Sequence, residues 1–154
     1  MFSLFKRRPT KPPAVPEGVV VHAVGDVHGR ADLLEPLLKA IWNDRQPGRE
    51  HIVVFLGDYI DRGPDSPLVL DMLLQLKDTP GVTWRFLRGN HEQALLDFIE
   101  NPAEAGPSWG TYGGRETLES YGVDAPYGSD PRLWRQARAS SESRACRQSL
   151  GSEP

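Results

Sequence analysis

The chain has 154 residues, of which 38% are hydrophobic, and its formal net charge is −3. This length fits one soluble domain better than two, and no apolar run is long enough to span a bilayer, which excludes an integral membrane protein. The single cysteine, Cys146, excludes an internal disulfide framework and a Cys-rich zinc module. The near-neutral charge gives no electrostatic reason to expect nucleic acid as a partner. We therefore expect a cytoplasmic protein without stable membrane insertion.

The two ends of the chain differ in composition from its middle. Residues 1–17 combine lysine and arginine with four prolines and predict a basic, Pro-rich leader. From residue 140 to residue 154 the only large aliphatic residue is Leu150, and such a segment buries too little apolar surface to offset the entropy lost on ordering. We therefore expect a disordered tail over residues 140–154 and place the domain at residues 18–139.

The middle of the chain predicts three strands, each followed by a helix. Apolar, β-branched runs predict the strands over residues 19–24, 52–56 and 82–87. Apolar residues at helical spacing predict three helices. The first covers residues 32–43, the second begins after a cap at Ser66, and the third lies around residues 94–99. Strands that alternate with helices form βαβ units, so this βαβαβ pattern places the fold in the α/β class, with a parallel sheet.

A polar residue follows each predicted strand, directly after a glycine. These residues are Asp26, Asp58 and Asn90, and they lie 32 positions apart, twice over. Right-handed crossovers bring the carboxyl ends of parallel strands to one edge of the sheet, where open α/β sheets bind ligands. The sequence therefore predicts that three oxygen ligands converge at this edge.

Carboxylate, imidazole and amide oxygen together suit a borderline divalent ion such as Mn²⁺, Fe²⁺ or Zn²⁺. Asp26 and His28 lie two positions apart in a glycine-flanked loop and can ligate one ion together. Asp58 can bridge this ion to a second one, because one carboxylate can serve two ions, and Asn90 would complete the set of ligands of the second ion. We therefore predict two divalent metal ions held by these four residues.

The remaining side chains of the loops fit phosphate chemistry. Two cations lower the pKa of a water between them and give a nucleophilic hydroxide at neutral pH. Arg62 offers a planar fork for two phosphate oxygens, while His91 can protonate the leaving alkoxide with Asp61 orienting its ring. These residues predict a metal-dependent hydrolase of phosphate esters that uses a metal-bound hydroxide. His22 and His51 lie within or at the start of a strand and are expected to be structural.

The segments GDVHG, GDYIDRG and RGNHE resemble the signature of the calcineurin-like metallophosphoesterases. More narrowly, they are similar to the phosphoprotein phosphatase family, which includes bacterial serine/threonine phosphatases and diadenosine tetraphosphate hydrolases. Residues 109–122 and a predicted helix at about residues 130–139 extend the resemblance, which covers roughly residues 19 to 138. It implies a two-sheet α/β sandwich with a dinuclear, usually manganese-loaded site that hydrolyses phosphate monoesters or pyrophosphate bonds. It also implies a phosphorylated protein or a small phosphoester as substrate.

The same resemblance assigns a role to each of the seven residues already singled out. Its metal ligands match Asp26, His28, Asp58 and Asn90. Its catalytic pair matches His91 with Asp61, and its phosphate-binding arginine matches Arg62.

The chain departs from this family after His91, because no histidine follows. The family takes two further metal-binding histidines, a further arginine and a second sheet from its later half, so the chain resembles a truncated or frame-shifted relative. Three interpretations stay open. In the first, the chain is an active enzyme with fewer ligands or with histidines from another chain. In the second, it is a fragment that retains only metal or phosphate binding, and an oligomer would cover its exposed sheet face. In the third, it is an enzyme that acts on dinucleoside polyphosphates.

Overall fold

A computed structural model describes the backbone of residues 14–150 and the side chains of residues 14–142. Most of the expected leader and the last four residues of the expected tail lie outside the described residues. In chain order the elements are β1 (Val19–Val24), α1 (Ala31–Asn43), β2 (Glu50–Phe55), α2 (Ser66–Lys77), β3 (Thr83–Phe86), α3 (Asn90–Glu100), α4 (Pro102–Trp109), a glycine-rich kinked segment (Gly110–Gly114), α5 (Arg115–Ser120) and α6 (Pro131–Leu150).

The strands form one parallel sheet in the order β1-β2-β3. Val24 pairs with Phe55, and Phe55 pairs with Phe86, so these side chains share one face of the sheet. Helices α1 and α2 cover this face, where Val53, Phe55 and Val69 are completely buried. The α/β class predicted from the sequence is confirmed, and the three strand ends lie at one edge.

The opposite face of the sheet is partly open among the described residues. Val21 and Ala23 on β1 are exposed, and Ile52 and Val54 beside them on β2 are only half-buried. This is the apolar face that the sequence led us to expect, and its cover by a second chain stays a prediction.

A second core lies among the helices that follow β3. It is built around Phe98 of α3, Trp109 of α4, Leu118 of α5 and Trp134 of α6. Phe98 stacks on Trp109 with a ring-centroid distance of 4.7 Å. A methyl group on Gly110 would lie 2.4 Å from the indole of Trp134, so only glycine allows this close contact. This second core fixes Trp109 and the kinked segment beside the sheet edge.

Two local expectations differ from the structure. Ser66, expected to cap α2, is its first helical residue, and the cap position falls on Asp65. Ser66 is instead fully buried and bonds to Thr117. In place of a disordered tail from residue 140, α6 continues to Leu150. Arginine, alanine, glutamate and glutamine favour a helix even where few apolar residues are available to bury. None of the described helices is long and apolar enough to cross a membrane.

We predict that Phe55→Ala lowers the free energy of unfolding by about 3–5 kcal/mol, because it opens a cavity in a fully buried position. Leu56 is the matched control, since it is the next residue and 52% exposed. Leu56→Ala should cost about 1 kcal/mol or less. Urea unfolding followed by circular dichroism measures both, and equal losses would contradict the assignment of the buried face.

Candidate active site

The loops after β1 and β2 are joined through their backbones. The carbonyl oxygen of Asp58 accepts hydrogen bonds from the backbone N–H groups of Val27 and His28, both at 2.9 Å. Gly29 donates a third bond to the carbonyl of Tyr59 at 2.8 Å. These bonds give the first loop its position relative to the second, and so place His28 beside Asp58.

The loop after β3 is joined to the second loop by Glu92. Its carboxylate accepts backbone N–H bonds from Asp58, Tyr59 and Gly89, each at 2.8 Å. In return, the carboxylate of Asp58 accepts the N–H of His91 at 3.1 Å. Sequence reasoning quoted Glu92 in the third motif but gave it no role, since only the folded chain brings these three N–H groups together.

Glycine is required where these loops touch. Gly57 has φ of 109°, and an added Cβ would lie 2.3 Å from the nitrogen of Gly89. Gly63 lies against the first loop, where a Cβ would come within 2.1 Å of the carbonyl of His28. Larger residues would push the loops apart at both points, so these glycines set the spacing of the functional side chains.

Four residues that are not glycine have a positive φ within residues 14–150, and all of them lie in the first two loops. They are His28, Asp58, Asp61 and Arg62, with φ between 47° and 72°. Residues with side chains rarely adopt this backbone conformation, and it concentrates at functional sites. All four had been selected from the sequence as functional residues.

Within the described part of the chain, a group of three side chains can hold a metal ion: His28, Asp58 and His91. Their ligand atoms all lie within 4.8 Å of one another. The rings of the two histidines meet edge to face, with centroids 4.7 Å apart. The group contains two predicted ligands, His28 and Asp58, and also His91, for which the sequence predicted a role in proton transfer.

Hydrogen bonds fix the tautomers of both histidines. Nδ1 of His28 donates to the carbonyl of Ile60, and Nδ1 of His91 donates to the carboxylate of Asp61. Each Nε2 therefore presents a lone pair toward the site in the neutral ring. Arg62 donates to both, at 2.9 Å to His28 and 3.1 Å to His91. Two lone pairs and a cationic fork are thus directed at one place.

The other two predicted ligands, Asp26 and Asn90, are both exposed. An oxygen of Asp26 lies 3.4 Å from Nε2 of His28, and the side chain of Asp26 is exposed. Asn90 is the exposed first residue of α3 and lines a cavity of about 460 Å³ between α3 and α4. His91 and Trp109 line the same cavity. The cavity therefore borders the predicted catalytic histidine.

Asp61 is completely buried and accepts hydrogen bonds from three side chains. His91 donates from Nδ1 at 2.8 Å, Trp109 from Nε1 at 2.8 Å, and Thr117 from its hydroxyl at 2.7 Å. The structure therefore brings together the His91–Asp61 pair that the sequence predicted. Trp109 and Thr117 had been noted only as part of the resemblance, because the chain folds back about 50 residues to reach Asp61.

Tyr59 contributes to the second loop through both its backbone and its ring. Its hydroxyl donates to the carbonyl of Leu87, and burial with the carboxylates of Glu92 and Asp58 raises the pKa of Tyr59 to about 12. The hydroxyl therefore stays protonated at neutral pH and remains a donor that ties this loop to the end of β3.

His22 and His51 stack on the sheet, with ring centroids 6.3 Å apart. His51 is buried and accepts the backbone N–H of Gln46, while His22 lies 3.8 Å from Asp44. Neither belongs to the group around Asp58.

The arrangement at the sheet edge agrees with a comparison of the sequence with known families. A family model described as calcineurin-like phosphoesterase matches residues 19–142. The chain belongs to the calcineurin-like phosphoesterase family. The resemblance drawn from its three glycine-flanked motifs is thereby confirmed.

Several curated phosphoesterases are similar to this chain over part of its length. A symmetrical bis(5'-nucleosyl)-tetraphosphatase of Legionella pneumophila is 38% identical over 79 residues, which are 51% of this chain and 26% of the relative. Serine/threonine-protein phosphatase 1 of Salmonella typhimurium is 40% identical over 77 residues, or 50% of this chain and 32% of the relative. A mouse serine/threonine-protein phosphatase with EF-hands is 35% identical over 77 residues, or 10% of its length. The match spans a third or less of each relative.

We predict that Glu92→Gln destabilises the chain by about 1–3 kcal/mol, because an amide NH₂ would face backbone donors that now have an acceptor. Glu100→Gln is the matched control, since Glu100 is exposed at the end of the same helix. Urea unfolding of both variants gives the comparison. A loss no larger than that of the control would show that the three N–H bonds do not hold the loops together.

Proposed function

We propose that this chain is a metal-dependent phosphoesterase that hydrolyses phosphate monoesters. The observation that carries the proposal is the meeting of Asp58, two imidazole Nε2 atoms and the Arg62 guanidinium at one sheet edge. Metal ligands and a phosphate-binding fork are the two features that such a reaction requires at one place. Membership of the calcineurin-like phosphoesterase family supports the same reaction class.

The donor set fits divalent ions. Nε2 of His28 faces the group because Nδ1 is engaged with a carbonyl, which is the usual way in which a protein orients a ligating histidine. We propose that Asp26, His28, Asp58 and Asn90 hold two ions, and that Mn²⁺ is the ion used. When bound, the ions supply a hydroxide nucleophile at neutral pH and neutralise charge on the phosphate.

His28 and His91 are suited to different roles by the partners of their Nδ1 atoms. The carbonyl of Ile60 orients the ring of His28 without adding a charge and leaves its Nε2 as the ligand atom. The buried carboxylate of Asp61 orients the ring of His91, which is the arrangement of a histidine and a carboxylate that serves proton transfer. We therefore assign His91 to protonation of the leaving oxygen, although its Nε2 lies within the group that can hold a metal.

Arg62 is assigned to the phosphate. Its guanidinium is planar and exposed, and it now donates to both histidines. Phosphate oxygens would offer it stronger, charge-assisted partners. Binding of the phosphate by Arg62 would free Nε2 of His91 to act on the leaving group.

Two substrate classes are compatible with this assignment. The named relatives include protein phosphatases and symmetrical dinucleoside tetraphosphatases, and both reactions break a P–O bond. Phosphate monoesters on a protein or a small molecule are our first candidate, and dinucleoside polyphosphates are the second. A cytoplasmic location remains part of the proposal.

The decisive variant is Asp58→Asn, measured with the purified 154-residue chain. We expect Mn²⁺-dependent hydrolysis of 4-nitrophenyl phosphate to fall by at least about 100-fold, because Asp58 would serve both ions. Mn²⁺ binding should weaken in parallel. It is measured as the decrease of the free-ion signal in electron paramagnetic resonance. Asp78→Asn is the matched control on the exposed end of α2.

Each outcome of this experiment separates the interpretations. Turnover that is lost with Asp58→Asn and kept with Asp78→Asn supports the enzyme. Mn²⁺ binding without any turnover by the folded chain would contradict the enzyme and favour a fragment that retains only binding. Hydrolysis of a dinucleoside tetraphosphate but not of any monoester would replace the first substrate class by the second.

His91→Gln tests the division of work between the two histidines. We expect kcat to fall by about 100- to 10,000-fold, as for the loss of a general acid, while Mn²⁺ affinity changes little. His28→Gln should weaken Mn²⁺ binding itself, and His22→Gln on the sheet should do neither. If His91→Gln abolished Mn²⁺ binding, His91 would be a ligand and its assignment as the proton donor would be wrong.

A further inference from the structure

The carboxylate of Asp61 has more donors than the pairing with His91 requires. Asp61 has no exposed surface, and its Oδ2 accepts both Nδ1 of His91 and Nε1 of Trp109. Its Oδ1 accepts the hydroxyl of Thr117 at 2.7 Å. Both oxygens are thus held by groups that come from outside the three loops.

Thr117 holds Asp61 at two points. Its hydroxyl oxygen accepts the backbone N–H of Asp61 at 2.9 Å, while its hydrogen is directed to Oδ1. A hydroxyl has one hydrogen to donate, so Ser66, which lies 3.1 Å away, must be the donor in its bond to Thr117. This chain of bonds fixes the backbone and the carboxylate of Asp61 together.

Trp109 and Thr117 are themselves immobilised by the second core. They are 2% and 3% exposed, and Trp109 stacks on Phe98. A methyl group on Gly114 would lie 2.3 Å from the indole of Trp109, which shows how closely the kinked segment fits against the ring. The two donors therefore present hydrogens to Asp61 from a rigid support.

We propose that Trp109 and Thr117 are positioning residues for proton transfer by His91. By holding both oxygens of Asp61, they keep its carboxylate in the one orientation that accepts Nδ1–H of His91, and so aim Nε2 at the leaving oxygen. This inference rests on the proposed function. It concerns the residues that make His91 an effective proton donor, and both act on His91 through Asp61.

In the step that they support, a proton moves from His91 to the leaving oxygen as the phosphate ester is hydrolysed. A water oxygen, having released one proton to solvent, forms a bond to phosphorus. The bond between phosphorus and the leaving oxygen breaks, and its electron pair stays on that oxygen. This oxygen takes the proton from Nε2 of His91, which regains a proton from solvent, so that the products are an alcohol and inorganic phosphate.

The test uses aryl phosphates whose leaving groups differ in basicity. A dinitrophenolate leaves without help, whereas a phenolate depends on protonation. For Thr117→Val and Trp109→Phe we expect kcat with phenyl phosphate to fall about 10-fold or more, and kcat with 2,4-dinitrophenyl phosphate to change less than about 3-fold, because only the protonation step is impaired. KM should stay within about 2-fold, because neither residue binds the phosphate. Thr117→Ser keeps the hydroxyl and should restore kcat with phenyl phosphate.

Trp134→Phe is the matched control for Trp109→Phe. Trp134 is also completely buried in the second core, but its Nε1 donates to the carbonyl of Gly128. The Trp134→Phe variant should be less stable than the wild type but should keep the same ratio of the two kcat values. An equal fall with both substrates in Thr117→Val and Trp109→Phe would show a structural role alone and overturn the proposal.

A second measurement does not depend on turnover. A buried imidazole N–H bonded to a carboxylate gives a downfield proton resonance, which His91→Gln would assign by its disappearance. We expect this resonance in the wild type and in Thr117→Ser, and its shift or loss by exchange in Thr117→Val and Trp109→Phe. Its absence from the wild type, or its persistence unchanged in those two variants, would overturn the positioning role. Absence of turnover by the wild type would count against the proposed function instead.

Discussion

The buried carboxylate of Asp61 is the point at which the two cores of the described chain meet. Asp61 belongs to the loop after β2, whereas Trp109 and Thr117 belong to the helices of the second core. Arg62 extends this junction, because its backbone N–H donates to the carbonyl of Gly113 at 3.1 Å. A buried carboxylate without donors would be strongly unfavourable, so the helices must dock on the loop for the sheet edge to hold its shape.

This docking explains how the loops retain strained backbone conformations. A positive φ at a residue with a side chain costs on the order of 1–3 kcal/mol, and four such residues lie in the first two loops. Relaxation is opposed from both sides. Backbone bonds to the carbonyl of Asp58 hold the first loop, and a Cβ at Gly113 would already lie 2.6 Å from the side chain of Arg62. The geometry of the site is therefore set by its surroundings more than by local preference.

The sequence predicted the residues at the sheet edge because topology alone determines where they lie. Parallel strands with right-handed crossovers place the residues after each strand together, so Asp58 and His91 could be expected to meet before any contact was known. The β-strands followed from apolar, β-branched runs, such as the one over residues 52–56. These inferences depend on local apolar patterns and on one general rule of chain connection.

The contacts that support the site could not be predicted in the same way. Thr117 reaches Asp61 across 56 positions of the chain, and no periodic pattern encodes such a pairing. Serine often caps helices, and Ser66 was interpreted as a cap, but tertiary contacts gave its hydroxyl a different partner. The polar end of α6 likewise lacked the apolar stripe on which helix prediction depends.

The balance of charge at the sheet edge gives an independent reason for the proposed ions. Asp26, Asp58, Asp61 and Glu92 bring four carboxylates to these loops, and the cationic side chain that contacts the two histidines is Arg62. A phosphate monoester carries about two negative charges at neutral pH, and it would be repelled from such a site. Two divalent cations would reverse this sign and leave Arg62 as the fork that orients the phosphate. Asp26 and Asp58, two of the carboxylates that would repel a substrate in the absence of cations, are therefore also the groups proposed to hold the cations in place.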